Sequence, residues 1–551
     1  MAMPQQPTSG VHEWAPITFY APASEAYSLL PFRFKRLSGS QGGATEGRGD
    51  VLLTNLVGEY IILSGSDFEA FRQKRLPVTS SVFQKLLAKH FVRGDSPAQL
   101  ELLASRLWTK KSFMVGFTKL HIFVLTLRCN ASCVYCQVTR QNEDAPRSYD
   151  MSPEVARASV DMMMKSPSRS ITVEFQGGEP LLNFDVLKEV VLYTEVKNAA
   201  LPEGLKKDIS FVVCTNLSRL TDDMLTFFKA HGVGISTSVD GPATLHDSNR
   251  ARSLKHACHR VVEKNLRWAQ EALGRSQVSA LMTTTRQSLG HAKEIIDEYL
   301  RLDLGSIFIR ALNPYGYATK TGRAIDYTVP EFVEFYKTAF DYIMAVNRTG
   351  RVFPEAYAGL LLKKILTPWT VGFVDLQSPT GNGFAVTVYN YDGDVYASDE
   401  SRMLFEMGDA QFRLGSVLED SFEDIYFGQA MQLIASTGVA ECLAGCESCV
   451  YVPYCGADPI RHYATQHDAY GNRARSTFCQ KNKAIFDFLF EKLRHLSPQD
   501  EDILWSWLTD RSVEELTLKD PTDPTVPTHP TVRVCRILCL GQGVPLPCPG
   551  A

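Results

Sequence analysis

Cys129, Cys133 and Cys136 lie in the run Leu127-Arg-Cys-Asn-Ala-Ser-Cys-Val-Tyr-Cys-Gln137, spaced CxxxCxxC. Three thiolates on one tight loop suit a 4Fe–4S cube with one iron left unligated, and an open iron can bind a small molecule. A zinc site or three buried core cysteines are the competing readings; zinc usually takes CxxC pairs with four ligands, and no fourth ligand is nearby. Some forty residues on, Phe175-Gln-Gly-Gly-Glu-Pro180 offers a second kind of chemistry. Gly177 and Gly178 permit close backbone approach to a ligand, and Glu179 supplies a carboxylate for an ammonium group. By itself, Gly-Gly-Glu-Pro is equally a tight turn. A third group, Cys446-Glu-Ser-Cys449, Cys455 and the more distant Cys479, reads CxxCx5C plus one. Four soft ligands complete one 4Fe–4S cluster or one structural zinc site, since thiolates serve both metals.

Elements that could position these groups alternate along residues 115–330. Strand-like runs cover 120–127, 171–176, 209–214, 233–239, 278–283 and 306–310. Between them, 153–165, 185–199, 222–231, 255–273 and 292–302 have helical periodicity. Ser152 before Pro153 is a good helix start. Repeated βα units imply a parallel sheet with helices outside. Six are too few for a closed eight-stranded barrel and suit an open, partial (β/α)6 barrel, whose ligands collect at the C-terminal strand ends. The cysteine loop follows the first such strand.

The expected domains are residues 1–112, 113–330, 331–383, 384–490 and 491–551. In the first, 51–63 reads as two strands around Gly58, followed by helices at 66–71 and 82–91. This α+β segment is either a peptide-recognition domain, adding a substrate strand to its edge, or a packing extension of its neighbour. Residues 39–49 read as a Gly/Ser-rich loop. The segment 331–383 is helical. In the fourth, Asp392-Gly393 between 385–391 and 394–396 signals a hairpin. The last carries an acidic helix at 498–518 and a Pro/Thr-rich tail, expected to be disordered, that holds Cys535, Cys539 and Cys548. Cys214 and Cys258 read as core or helix-face residues, and His256-Ala-Cys-His259 as a solvated helix face.

Composition narrows the function classes. A net charge of −4 and a pI near 6.3 leave no nucleic-acid footprint. No run of eighteen apolar residues predicts a membrane span, and the N-terminus lacks the pattern of a signal peptide. The expected compartment is the cytoplasm, where thiols stay reduced and thirteen cysteines point to metal or redox chemistry.

Taken together, the CxxxCxxC loop and the Gly-Gly-Glu-Pro strand end resemble the radical S-adenosylmethionine (SAM) superfamily. The second cysteine set resembles the SPASM domain of its peptide maturases. Residues 31–490 resemble a radical SAM/SPASM maturase, and most closely the His-Xaa-Ser system radical SAM maturases. That narrower likeness rests on His121-Ile-Phe-Val-Leu-Thr-Leu-Arg-Cys129, Glu174-Phe-Gln-Gly-Gly-Glu-Pro-Leu-Leu-Asn-Phe184, Val374-Asp-Leu-Gln-Ser-Pro379 and Tyr389-Asn-Tyr-Asp-Gly-Asp-Val-Tyr-Ala-Ser-Asp-Glu-Ser-Arg-Met403.

The resemblance implies a cluster on Cys129, Cys133 and Cys136 that cleaves SAM to a 5′-deoxyadenosyl radical. That radical then takes a hydrogen from a side chain of a ribosomally made precursor peptide, which is crosslinked or oxidised. SAM contacts are implied for Tyr135, Gly177, Gly178, Glu179, Pro180, Thr215, Asn216, Ser238 and Arg250, the last through its planar fork; the plainer reading of Arg250 is a surface ion pair. Implied partners are a one-electron donor such as flavodoxin or ferredoxin, and a second radical SAM maturase. The family normally carries two auxiliary clusters. Here Ser398 and Pro459 stand where the second needs cysteine, and no cysteine lies between 259 and 441. One auxiliary 4Fe–4S cluster is therefore expected, on Cys446, Cys449, Cys455 and Cys479, with Cys442 spare. In sulfatase-maturing relatives an aspartate at the position of Asp399 acts as a base; the plainer reading is a solvent-exposed hairpin acid. The alternative functions are a sulfatase-maturing enzyme and a non-catalytic, metal-stabilised peptide-binding partner.

Overall fold

The computed structural model describes residues 27–37, 49–94, 97–252, 258–509 and 511–517. The loop expected at 39–49, except Gly49, and the tail with Cys535, Cys539 and Cys548 lie outside them, as do His256 and Ala257. The chain divides into two compact units between Thr109 and Lys110.

The first unit holds an antiparallel meander of Phe32–Arg36, Val51–Asn55 and Tyr60–Leu63. Its central strand is buried throughout, and Gly58 takes a φ of 77° in the turn. Ser64 and Ser80 cap the helices Gly65–Arg72 and Ser81–Ala88 through their side chains. Leu53, Phe68, Phe71, Leu86 and Phe91 form the core. The second helix stops at Ala88, short of the expected 91, because His90 adopts a left-handed φ of 52°. The strand Phe32–Arg36 was not expected; its Phe34 is half exposed, so its alternation is not that of a buried strand.

In the second unit six parallel strands run in chain order: Leu120–Thr126, Ser170–Gly177, Asp208–Cys214, Val233–Ser238, Val278–Thr283 and Ile309–Arg310. This is the expected partial (β/α)6 barrel. Phe123, Leu125, Val173, Phe175, Val213, Ile235 and Met282 are fully buried. The intervening helices Pro153–Met164, Phe184–Ala199, Asp222–His231, Cys258–Leu273 and Ala292–Arg301 stand where periodicity placed them. Ser152 accepts from Val155 N at the start of the first, and Gly232, with φ 64°, ends the third. The sixth strand is only two residues long, because Ile307 pairs with Glu355 instead.

The hairpin Val386–Tyr389 and Asp394–Tyr396 forms as its Asp-Gly turn predicts. Its first strand pairs in parallel with the first barrel strand, Val386 against Leu120, so one nine-stranded sheet runs through both. The stretch after the barrel is helical at Val329–Arg348 and Ala356–Leu366. The acidic helix expected at 498–518 is instead two, Pro498–Thr509 and Val513–Thr517. Ile503, Leu504 and Trp505 are buried, which fixes the first against its neighbours. Among the described residues no helix is long and apolar enough to cross a membrane.

Candidate active site

The cysteine loop leaves the first barrel strand and is stitched down on three sides. Arg128–Cys129 pairs with Gln141–Asn142, and Ala131–Cys133 pairs with Arg250–Arg252, Arg250 opposite Cys133. Arg128 forks onto Asp150 at 2.8 and 2.7 Å, both largely buried. The helix Tyr317–Ile325 covers the loop from above: Ala318 N donates to Cys136 O at 3.0 Å, and Thr321 Oγ1 to Val134 O at 2.5 Å.

The end of the second strand lies directly beneath. Gly178 N donates to Thr126 O at 2.7 Å, and Glu179 N to Arg128 O at 2.8 Å. A Cβ on Gly177 would stand 2.1 Å from Thr126 O, and one on Gly178 2.3 Å from Arg128 O. Glycine is required here for approach to the chain's own backbone, not only to a ligand. Glu179 is fully buried; its carboxylate accepts from Leu181 N at 3.1 Å, Thr215 Oγ1 at 2.6 Å and Asn216 N at 2.8 Å. Asn216 Nδ2 donates to Asn130 Oδ1 at 3.0 Å, returning the network to the cysteine loop. Pro180 opens a short 3-10 turn, and Ser238 ends the fourth strand, half-buried.

Arg250 is buried, not on the surface, and so corrects the surface-ion-pair reading. Its Nε meets Asp240 Oδ2 at 3.1 Å, and its guanidinium lies 5.3 Å over the ring of Tyr135. The hydroxyl of Tyr135 reaches both oxygens of the same Asp240, at 2.8 and 2.6 Å. The Asp-Gly-Pro turn after the fourth strand thus anchors the aromatic residue of the cysteine loop. His259 is likewise buried, bonded to Glu298 at 2.7 Å, rather than solvated as expected.

Burial, then the charge of Glu179 and the neighbouring thiols, pushes Cys129 up to about 12. Cys136 is pushed to about 12 by burial and by Cys133. The three cysteines are half-buried on one loop, and their protons must leave when a metal centre binds. This donor set fits a 4Fe–4S cluster held by three thiolates.

The second cysteine set also converges. Cys446, Cys449 and Cys455 follow one another through tight backbone turns, and Cys479 sits in the first turn of the helix Thr477–Arg494. Cys455 is pushed up to about 12 by burial and, further, by the proximity of Cys449, Cys479 and Cys446, with Asn482 opposing. Arg473 stands beside Cys446 and Lys483 beside Cys479. Cys442 is exposed. Ser398 and Pro459, at the places where a further cluster would need cysteine, have structural duties: Ser398 caps the helix Asp399–Glu406, and Pro459 opens the helix Pro459–Gln466. Among the described residues no three Cys, His, Asp or Glu groups close around a point as tightly as a single ion requires.

Between the barrel and the cysteine-rich segment lies a cavity of about 300 Å³ that the sequence did not reveal. Ile122, Glu174, Gln176, Leu281 and Arg310 line it from the barrel strands. Tyr357, Asp375, Asp399, Glu400, Arg461 and Lys481 line it from the other side. Asp399 is the first residue of its helix, 18% exposed, and bonded to Arg402 at 3.1 and 2.8 Å; it is a wall of this cavity and not a solvent-exposed hairpin acid. Burial and the nearby Asp375 and Asp399 raise Glu400 to about 7. Burial and Arg461 lower Lys481 to about 8. Groups held near neutrality in such a cavity can exchange protons with a bound molecule. The spacings of these lining residues carry no signal in sequence, because they come from nine separated segments.

Residues 123–298 match the family model of the Radical SAM superfamily. A cysteine-type anaerobic sulfatase-maturating enzyme of Clostridium perfringens (strain 13 / Type A) is 23% identical over 66% of this chain and 94% of its own length. The radical SAM cyclopropyl synthase TigE of Paramaledivibacter caminithermalis is 27% identical over 22% of this chain and 27% of its own. The solved structure of native anSMEcpe with bound AdoMet superposes with a TM-score of 0.56 at 18% identity, covering 69% of this chain and 98% of that one. Radical SAM domains work with a 4Fe–4S cluster and SAM, the two groups that the cysteine loop and its surroundings fit. Residues 123–298 are thus a radical SAM domain, set in a chain that shares the fold of that AdoMet-binding enzyme.

Proposed function

We propose that this protein is a radical SAM enzyme that modifies a side chain of a ribosomally made peptide, by crosslinking or oxidation. The observation that carries the reading is the meeting of the cysteine loop with the Glu179 strand end: Glu179 N donates to Arg128 O, and Asn216 ties its carboxylate to Asn130 of the loop. Bound there, a reduced cluster with SAM supplies a 5′-deoxyadenosyl radical able to take a hydrogen atom from carbon. The chain's own work is orientation. Thr215 and Asn216 hold Glu179 facing the site, where it suits the amino group of SAM. Gly177, Gly178 and Pro180 shape the strand end, and Ser238 and Arg250 border it with Tyr135. Glu400, in the cavity wall, is placed to take the proton that a substrate radical releases as it is oxidised. Cys446, Cys449, Cys455 and Cys479 would hold one auxiliary 4Fe–4S cluster. A cytoplasmic setting would supply the partners this needs: a flavodoxin- or ferredoxin-type electron donor and, in the His-Xaa-Ser reading, a second radical SAM maturase.

The test is anaerobic incubation of reconstituted protein with SAM and dithionite. The reading expects 5′-deoxyadenosine, lost in Cys133→Ala. Its absence from the parent protein would reduce the chain to a non-catalytic peptide-binding partner. A short reading frame beside the gene encoding repeated His-Xaa-Ser units would support the narrower assignment.

A second reading, maturation of a sulfatase, is favoured by the sulfatase-maturating relatives and by Asp399 in the cavity wall. Ser398 and Pro459 weigh against it. Oxidation of a sulfatase-derived cysteine or serine peptide under the same conditions would establish it; a peptide returned unchanged would remove it.

A further inference from the structure

One wall of the cavity is tied directly to the auxiliary cysteines. Tyr357 presents its ring to the cavity, and its hydroxyl donates to Asn482 Oδ1 at 3.1 Å. Asn482 Nδ2 in turn donates to Cys455 Sγ at 3.6 Å. Tyr357 and Asn482 are buried, 6% and 2% exposed, so the bond between them is shielded from bulk water. The Lys481 ammonium, another cavity group, lies 5.4 Å over the Tyr357 ring. The contact is reinforced next door, where Ala457 N donates to Gln377 O at 3.3 Å, two residues from the cavity carboxylate Asp375.

We propose that Tyr357 and Asn482 form a hydrogen-bonded bridge that couples the cavity to a cluster on Cys446, Cys449, Cys455 and Cys479. The inference rests on the auxiliary-cluster reading above. Asn482 is a positioning residue with an electrostatic effect. An N–H donor aimed at a ligating sulfur stabilises the negative charge that reduction adds, so it raises the reduction potential of the cluster. An amide can present either its oxygen or its nitrogen to a neighbour. A ligating sulfur can only accept, so it selects Nδ2, and the Tyr357 hydroxyl, donating to Oδ1, holds the amide in that orientation. A group that enters the cavity and moves the Tyr357 ring or Lys481 is thereby felt at Cys455.

The bridge is testable in the full chain carrying Cys129→Ala, Cys133→Ala and Cys136→Ala, where only the auxiliary set can hold a cluster. After anaerobic reconstitution with iron and sulfide, the midpoint potential is read by EPR-monitored titration. Asn482→Leu, which keeps volume and removes the donor, is expected to lower the midpoint and alter the EPR spectrum. Tyr357→Phe, a milder change that keeps the ring and should fold even if Asn482→Leu does not, is expected to shift both in the same direction by less. Parent-like potentials and spectra in both variants, at parent-like iron content, overturn the bridge alone. Failure of the triple variant to take up iron at all overturns the auxiliary-cluster reading, and the bridge with it.

Discussion

At the scale of single residues, Glu400 offers the most informative substitution. Its carboxyl is held at about 7 by burial and by Asp375 and Asp399. A folded-state value raised above the unfolded one, near 4.3, means the folded chain binds this proton more tightly. The associated stability is present in full below about pH 4 and is lost as pH rises through 7. Glu400→Gln cannot lose a proton and keeps that stability. Denaturation curves across pH should show the variant gaining on the parent protein between pH 4.5 and 7.5, by about 1–3 kcal/mol. Curves that run parallel over that interval would mean that the carboxylate cluster does not repel Glu400 as described.

At the scale of elements, the cysteine loop depends on contacts from several parts of the chain. Asp240 is fully buried between Tyr135 and Arg250. Asp240→Asn leaves Arg250 as an uncompensated buried charge and should cost roughly 3–5 kcal/mol, measured by chemical denaturation. It should also reduce iron retention at the loop, whereas iron on the auxiliary set should persist. Gly178→Ala is the harsher change. A methyl 2.3 Å from Arg128 O cannot be accommodated without parting the second strand from the loop, so loss of soluble folded protein is expected, as read by expression and circular dichroism. The barrel strands and helices were legible in the sequence because each buries a long periodic face, as in Val233–Ser238 and Asp222–His231. Arg250–Arg252 was not, since a three-residue strand has no period to read. Nor was Tyr317–Ile325, whose Thr and Gly content gives weak helix propensity and which is held by its bonds to the cysteine loop. Asp399 and Arg250 were picked out by position along the chain, but their burial depends on partners that only the fold supplies.

For the whole molecule, the number of clusters is the quantity that separates the readings. Three loop cysteines and four auxiliary ones predict about eight irons per chain after anaerobic reconstitution. About twelve would require a third cluster that Ser398 and Pro459 cannot serve; about four would leave the second set to zinc or to nothing. The cavity shows why a motif list stops short at this scale. Glu174, Arg310, Asp375 and Lys481 are separated by up to some three hundred positions, and nothing local marks them as neighbours until the sheet and the helices close.

The pairing of Val386 with Leu120 has a practical consequence. Without it, Leu120–Thr126 would present a bare row of backbone donors and acceptors, a template on which another copy of the chain could add. The later segment is therefore the guard of the barrel's rim as well as the carrier of the second cysteine set. A shortened chain ending before 384 should precipitate or form larger assemblies, and supplying 384–517 as a separate polypeptide should restore it to solution. The cysteine-rich segment would then be needed to keep the barrel in solution even in a chain whose second cysteine set held no metal.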